Sequence, residues 1–383
     1  MNLIKFEVKK LFTIKTIGLA GIVALIIYSF TMQHNIEFFT NGSIEGSYYT
    51  VANKILMDYG PYMDKNEFED FKKETKTYEE NAQMLIKNNK DLKEYGVTNL
   101  EEFERFREES DFLDEKISDL IMEIAFDEKK LLYDARNLVI ENYNKSTDEN
   151  EIIAEYMDIS KKDLERIKEF RSREDSKAPI PYFFLRNTES LAIGMFGIIA
   201  FTVFLLISPI FIRDRSNKVN QLQHGAKIGR KIFKSKLIAG FVGAGIIVTL
   251  ELLILGGLLS TTGAFKFWDC SVNSELMGGY IRAVDLTIGE YIIVIGIFGY
   301  IVAFAVVGIS MFISTKANTY IALVMCNIIA VGSIFMLSFF GVDLFASTME
   351  SKYYQIGCWI IITIIGIIAS IYILKNQRKL DID

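Results

Sequence analysis

The sequence predicts an all-α, polytopic membrane protein. It expects six transmembrane helices, an N-terminal interfacial helix and a helical domain outside the membrane. Three observations carry this. Six windows of about 20 residues hold little or no charge, enough at 1.5 Å per residue to cross a hydrocarbon core of roughly 30 Å. Residues 37–189 are of opposite character, with 23 basic and 37 acidic side chains. The basic residues of the short connections gather on one side of the spans.

Residues 1–15 come first and predict a basic amphipathic helix. Leu3, Ile4, Val8, Leu11 and Phe12 share one face, with Lys5 and Lys9 opposite, so it would lie in the membrane interface. Glu7 intrudes on the apolar face. It is either paired with Lys10, three residues on, or solvated at the interface. The first span follows, about Thr16 to Ile36, and residues 1–36 form one unit. Its apolar run is longer than a signal-peptide core, and no small-x-small cleavage site follows in Met32–Phe39. It is read as a retained anchor.

Residues 37–189 predict a separate helical domain. Thr98 with Glu101 makes a capping-box pattern ahead of one long helix to about Asn144. Phe103, Phe106, Leu113, Ile117, Leu120, Ile124 and Leu131 fall near a heptad seam. A run from about Glu67 to Leu92 would pack antiparallel against it, and Ser160 with Asp163 caps a later helix. The Phe-rich stripe is either a peptide groove or the core of the hairpin; burial of an amphipathic stripe favours the core. The surplus of acid keeps the domain soluble or attracts cationic substrates. Ala178-Pro179-Ile180-Pro181 ends the helices.

Residues 190–383 hold five further spans: Ser190–Ile212, Leu237–Ser260, Ile288–Ile313, Asn318–Gly341 and Tyr354–Leu374. The N-terminal 15 residues, the connection 213–236, the turn at Lys316 and the tail together carry 16 basic residues. The opposite short loops carry only Lys266, Arg282 and Lys352. The positive-inside rule therefore places both termini in the cytoplasm of a cell (plasma) membrane and residues 37–189 outside.

Several function classes are excluded. A net charge of −6 argues against a nucleic-acid binder, and three cysteines cannot staple a scaffold. Cys326 and Cys358 fall within spans as packing residues. Cys270 stands alone, either pairing between chains or remaining a free or buried thiol. No G-x-x-x-x-G-K-[ST], HExxH or GxSxG motif occurs, and His34 and His224 are expected on opposite sides. No catalytic, cofactor or metal site is expected in this chain.

Two segments carry a family resemblance. The opening IKFEVKKLFTIKT, with Glu7, Lys9 and Lys10, resembles the amphipathic elbow of ABC-2 type permeases, the membrane subunits of ATP-binding cassette exporters. The connection RDRSNKVNQLQHGAKIGRKIFKSK, residues 213–236, resembles their first cytoplasmic loop. There an acidic residue, a short coupling helix, a Gly-Arg pair and a Lys precede the third span. Here these are Asp214, residues 216–223, Gly229-Arg230 and Lys236. Gly225-Ala226-Lys227 replaces the Pro-bearing turn that is frequent in the family. The six-span plan fits the branch with a large outer insertion after the first span. The resemblance covers the membrane body and not the insertion.

The resemblance implies a dimer of permease subunits, homomeric or heteromeric, above cytoplasmic ATPase subunits that bind ATP and Mg. Val219 and Leu222 would make the apolar contact with the ATPase, with Asn217 and Gln221 at its rim. Asp214 would pair with a nearby base such as Arg230. Export of a peptide, lipid or other amphiphile is the expected function. The alternatives are an ATPase-linked mechanotransmitter acting on outer partners, and a receptor or scaffold outside the ABC class. Glu251, inside the third span, is either a substrate-path residue or an interhelical hydrogen-bonding group. Gly240 with Ala244 and Ala239 with Gly243 suit close helix packing, within the chain or at a dimer seam.

Overall fold

The computed structural model describes residues 3–110, 113–147, 160–217, 229–279, 281–282, 284–342 and 352–376. These form sixteen α-helices and two 3-10 turns, and there is no strand among the described residues. The helices in order are α1 (Leu3–Leu11), α2 (Ile14–Thr31), α3 (Gln33–Glu37), α4 (Ser43–Tyr59), α5 (Lys65–Asn88), α6 (Lys90–Glu94), α7 (Leu100–Glu109) and α8 (Glu115–Ala125). They continue as α9 (Glu128–Thr147), α10 (Lys161–Arg171), α11 (Tyr182–Ile207), α12 (Pro209–Ser216), α13 (Gly229–Thr261), α14 (Ile288–Lys316), α15 (Tyr320–Val342) and α16 (Lys352–Asn376).

Six helical segments are long and apolar enough to cross a membrane: Ile14–Thr31, Tyr182–Ser216, Ile232–Thr261, Ile288–Lys316, Tyr320–Val342 and Tyr353–Lys375. The chain is a multi-pass membrane protein. Helix α11 is its centre. The apolar window of that segment is 83% buried, against 6% for α2 and 44% for α14, and α2, α13, α14 and α15 all pack on it. Pro209 interrupts the segment. It lacks an N–H for the helix ladder, so α12 begins as a separate turn with Pro at its first position.

Close approach of α14 and α16 rests on two glycines. A Cβ on Gly308 would lie 2.6 Å from the Gly366 carbonyl oxygen, and one on Gly366 would lie 2.8 Å from Ala305 Cα. Gly240 and Gly243 of α13 serve packing within the chain. A Cβ at Gly240 would meet Met311 Cε of α14 at 2.8 Å, and one at Gly243 would meet Leu11 Cδ1 of α1 at 2.8 Å. Neither glycine is left on an open face.

The polar segment differs from its expected form. The single helix from Thr98 is three helices, α7, α8 and α9. Asn99, not Thr98, caps α7, its side chain accepting from the Glu102 N–H at 2.9 Å. Thr98 instead donates to the Glu102 carboxylate through both its N–H and its hydroxyl. Asp114 accepts from the Lys116 and Ile117 N–H groups and starts α8. Leu113, on the expected seam, lies in the break and is 92% exposed. An Asp side chain before a new turn offers the backbone an N-cap, and this competes with helix continuation. Ser160 caps α10 through the Asp163 N–H at 3.2 Å.

Helices α4 and α5 pack on α9. Phe68 and Tyr143 stack at 3.6 Å between ring centres. Arg136 is fully buried between Phe71 and Tyr78, and donates to Glu74 at 2.7 Å and Thr75 at 3.1 Å. A smaller cluster of Ala82, Ile86, Leu92, Val97, Leu100, Phe103, Leu120 and Ile124 holds α5 to α8. The polar segment is not a core apart. Val51, Ile55, Phe71, Ala135 and Val139 belong to one continuous apolar cluster with Phe184, Phe196, Val302 and Val306 of the long helices.

The connection 262–287 locks this junction. Thr262 accepts from the Tyr49 hydroxyl at 2.7 Å. Asn273 is buried, donates to Val284 O and Asp285, and accepts from the Arg282 N–H. Arg282 bonds Glu189 at 2.8 Å, and Arg166 bonds Asp285 at 3.0 Å. Arg171 pairs with Glu275. Cys270 is a buried free thiol, and burial pushes it up to about 12. Cys358 is buried too, but Cys326 is exposed on α15 and is not a packing residue within the chain.

Candidate functional site

The residues singled out from the sequence fall into one cluster and one isolated group. The cluster lies where α1, α12, α13 and α14 meet. Helix α1 brings its apolar face to α13, and Leu11 is buried against Gly243. Lys5 and Lys9 stay exposed. Glu7 is buried, and Lys10 donates to its carboxylate at 2.9 Å. The i, i+3 spacing on a helix makes that contact geometrically available. Lys10 also covers the Phe6 ring at 4.8 Å.

Asp214 is the hub. It stands on α12 and is 6% exposed. The Lys236 ammonium, on α13 and 1% exposed, donates to its Oδ2 at 2.5 Å. Lys10 lies 3.9 Å from its Oδ1. Lys236 donates further to the Ile210 carbonyl at 3.4 Å and covers the Phe211 ring at 4.9 Å. A buried lysine needs such company, because desolvation of an unpaired ammonium costs several kcal/mol.

The residues beside Asp214 reach the other neighbours. Arg213 donates to the Lys10 carbonyl at 3.1 Å. Arg215 donates to the Ser314 carbonyl, and the Ser314 hydroxyl accepts from the Phe211 N–H at 3.3 Å. One turn of α12 is thus held by α1, by the start of α13 and by the end of α14. The Arg213 and Arg215 contacts were not read from the sequence, where both residues counted only as positive charge.

The expected partner of Asp214 was Arg230, and the described carboxylate contacts are with Lys236 and Lys10. Gly229 and Arg230 open α13; nothing further is described of the Arg230 side chain. Ser216 ends α12 rather than starting a new helix, and Asn217 is its exposed C-cap. Val219, Gln221 and Leu222, with the expected coupling helix, lie outside the described residues.

Glu251 is the isolated group. It sits within α13, is buried, and has Thr202 of α11 as its hydrogen-bonding neighbour. Its Oε2 has no hydrogen-bond partner. The nearest described cavity, about 90 Å³, is lined by Met32, Met195, Leu252, Leu255 and Ile292 and does not include it. No group of three or more potential metal-ligating side chains occurs among the described residues.

Comparison with family models, with curated proteins and with solved structures finds no match.

Proposed function

We propose that this chain is the permease subunit of an ATP-binding cassette exporter of the ABC-2 type. The observation that carries the proposal is the Asp214 hub. The acidic residue, the Lys before the third span and the Glu-Lys pair of the N-terminal helix are among the positions on which the resemblance rests. They meet in one buried network at the foot of the connection 213–236. A subunit without a nucleotide motif must receive work by contact, and a stiff joint at the base of a contact loop passes that work to the spans.

In this reading α1 is an interfacial elbow, both termini are cytoplasmic, and residues 37–189 stand outside the plasma membrane. The distribution of Lys and Arg supports the orientation. Two permease subunits would sit above two ATPases that bind ATP and Mg. Val219 and Leu222 would seat in the ATPase, with Asn217 and Gln221 at the rim. Closure of the ATPases would move α12, and through its three attachments α1, α13 and α14. The chain does no covalent chemistry itself. Its cargo would be a peptide, lipid or other amphiphile, with Glu251 on its path.

A second reading is favoured by the continuous core between the polar segment and the long helices. Such a core would also carry motion outward to a partner, as a mechanotransmitter requires.

The test is copurification. The chain is isolated from its own cells at matched expression as wild type and as Leu222→Asp, and bound proteins are searched for a Walker-motif ATPase. A carboxylate forced into an apolar contact leaves a desolvated charge without a partner, so the variant should lose the ATPase. Absence of any such ATPase from the wild-type preparation, or its full retention by Leu222→Asp, rejects the reading.

A further inference from the structure

A cavity of about 490 Å³ opens in the polar segment, where α5 begins and where α9 and α10 end. Tyr143, Ser146 and Met63 line it with five cations, Lys65, Lys168, Arg171, Arg173 and Lys177, and two carboxylates, Asp64 and Glu174. Lys177 is the unusual member. It follows α10 on a 3-10 turn, Glu174–Lys177, and its residue surface is 8% exposed.

Its ammonium donates to the Ser146 hydroxyl at 2.6 Å and to the Arg171 carbonyl at 3.4 Å, and lies 5.6 Å from the centre of the Tyr143 ring. All of these partners are neutral. Arg171 bonds Glu275, and Arg173 bonds both Asp175 and Asp285. Among the described residues no carboxylate bonds Lys177. A buried cation is normally held by an anion, because neutral acceptors return only part of its hydration.

Stabilising the carbonyls at the end of α10 does not explain the burial. An exposed lysine would satisfy the same carbonyl and keep its water. Burial beside an open cavity whose lining holds five cations against two carboxylates instead presents positive charge, a hydroxyl and an aromatic wall to whatever enters.

The geometry points to this cavity as a binding site for a carboxylate carried on an apolar body, with Lys177 as the ion-pair partner, Ser146 as a hydrogen-bonding group, and Tyr143 and Met63 as the apolar contact. The assignment stands whether or not the chain belongs to an exporter. Burial draws the proton affinity of the lysine down to about 8, against the opposing pull of the Glu275 carboxylate.

Two sources share this chemistry, a peptide C-terminus and a fatty acid. The test uses the full-length protein in lipid nanodiscs. Lysine acetylation at pH 8 is mapped by mass spectrometry, with the exposed Lys87, outside the cavity, as the internal reference. The probes are N-acetyl-Leu-Leu-Phe as free acid, the same peptide as C-terminal amide, octanoate, and inorganic phosphate. Protection of Lys177 by the free-acid peptide but not its amide assigns a peptide terminus; protection by octanoate assigns a fatty acid. Affinity for the protecting acid, measured by titration, should fall about tenfold or more in Lys177→Met. The acid–amide comparison needs only wild-type protein and so holds even if the variant misfolds. Equal protection by acid and amide with none by octanoate, protection by phosphate alone, or no protection by any probe overturns the assignment.

Discussion

Lys236 on the third span donates to Asp214 at 2.5 Å, across 22 positions of sequence, with both side chains almost withdrawn from solvent. Their union fixes the two ends of the connection 213–236 to each other. The helices that flank the connection therefore share one base and are not independent of each other.

Breaking that base by halves should be costly. Asp214→Asn leaves the buried Lys236 without its counter-charge and should destabilise the protein by about 3–5 kcal/mol, and Lys236→Met, which leaves Asp214 the more distant Lys10 at 3.9 Å, should cost less. The double variant removes both charges and should recover much of the loss. A double-mutant cycle on thermal unfolding in detergent checks this. Additive losses would show that the two residues do not interact energetically.

The α14–α16 contact makes a steric prediction. Gly366→Val places atoms against the Ala305 backbone, 2.8 Å from its Cα. Backbone cannot yield as a flexible side chain can, so the helices must part, at a cost of roughly 1–3 kcal/mol or more. Gly357→Ala, with nothing within 4 Å, should be near neutral. Melting temperatures of the two variants, compared in one detergent, decide it.

Lys177 gives a pH dependence with a definite sign. Burial lowers its proton affinity from an ordinary 10.5 to about 8 in the folded protein. Between those values the unfolded chain holds a proton that the native state has released, so stability rises with pH across that window. The whole rise is of order 3 kcal/mol. Lys177→Met lacks the group, so wild type should gain on the variant from pH 8 to 10.5. A flat difference would show that the lysine is not desolvated.

Exposure separates two residues of one apparent stripe. Phe103 is fully buried and Leu113 is 92% exposed. Phe103→Ala should cost about 3–5 kcal/mol, and Leu113→Glu should fall within about 0.5 kcal/mol of wild type. Denaturant titration reads both.

Sidedness is open to chemical labelling. With the native cysteines replaced, Met84→Cys on α5 and Asn217→Cys after α12 are both on exposed residues. An impermeant thiol reagent should modify the first in intact cells and the second only after lysis. Equal reaction in sealed cells would reverse the assignment of residues 37–189 to the outside.

Much of the long-helix plan was legible because hydropathy over 20 residues is a local signal. Boundaries moved where caps decided them. With Pro181 at its N-cap the second long helix starts at Tyr182, eight residues ahead of Ser190, and Met32 ends the first near Thr31. The one-helix reading of 98–144 failed for the opposite reason. A heptad pattern ran on across Asp114 and Asp127, whose side chains take the first N–H groups of α8 and α9. Glu7 with Lys10 was readable from spacing. Asp214 with Lys236 was not, because which base turns inward depends on how α12 and α13 pack. Lys177 left no trace at all: its isolation follows from three helix ends meeting, and one lysine among 23 basic residues of that segment looks like any other.

The locked connection 262–287 also sets an order of events during synthesis. Tyr49, Asn142, Arg166 and Arg171 each find a partner between Thr262 and Asp285. When the ribosome has finished residue 189, those partners are still more than seventy residues away. At about 5–20 residues per second, the nascent segment waits several seconds with its docking face uncovered. Maturation of this protein is therefore exposed to proteases and chaperones during that interval. A substitution such as Asn273→Ala, harmless to insertion of the long helices, should lengthen the vulnerable period and lower the yield in cells.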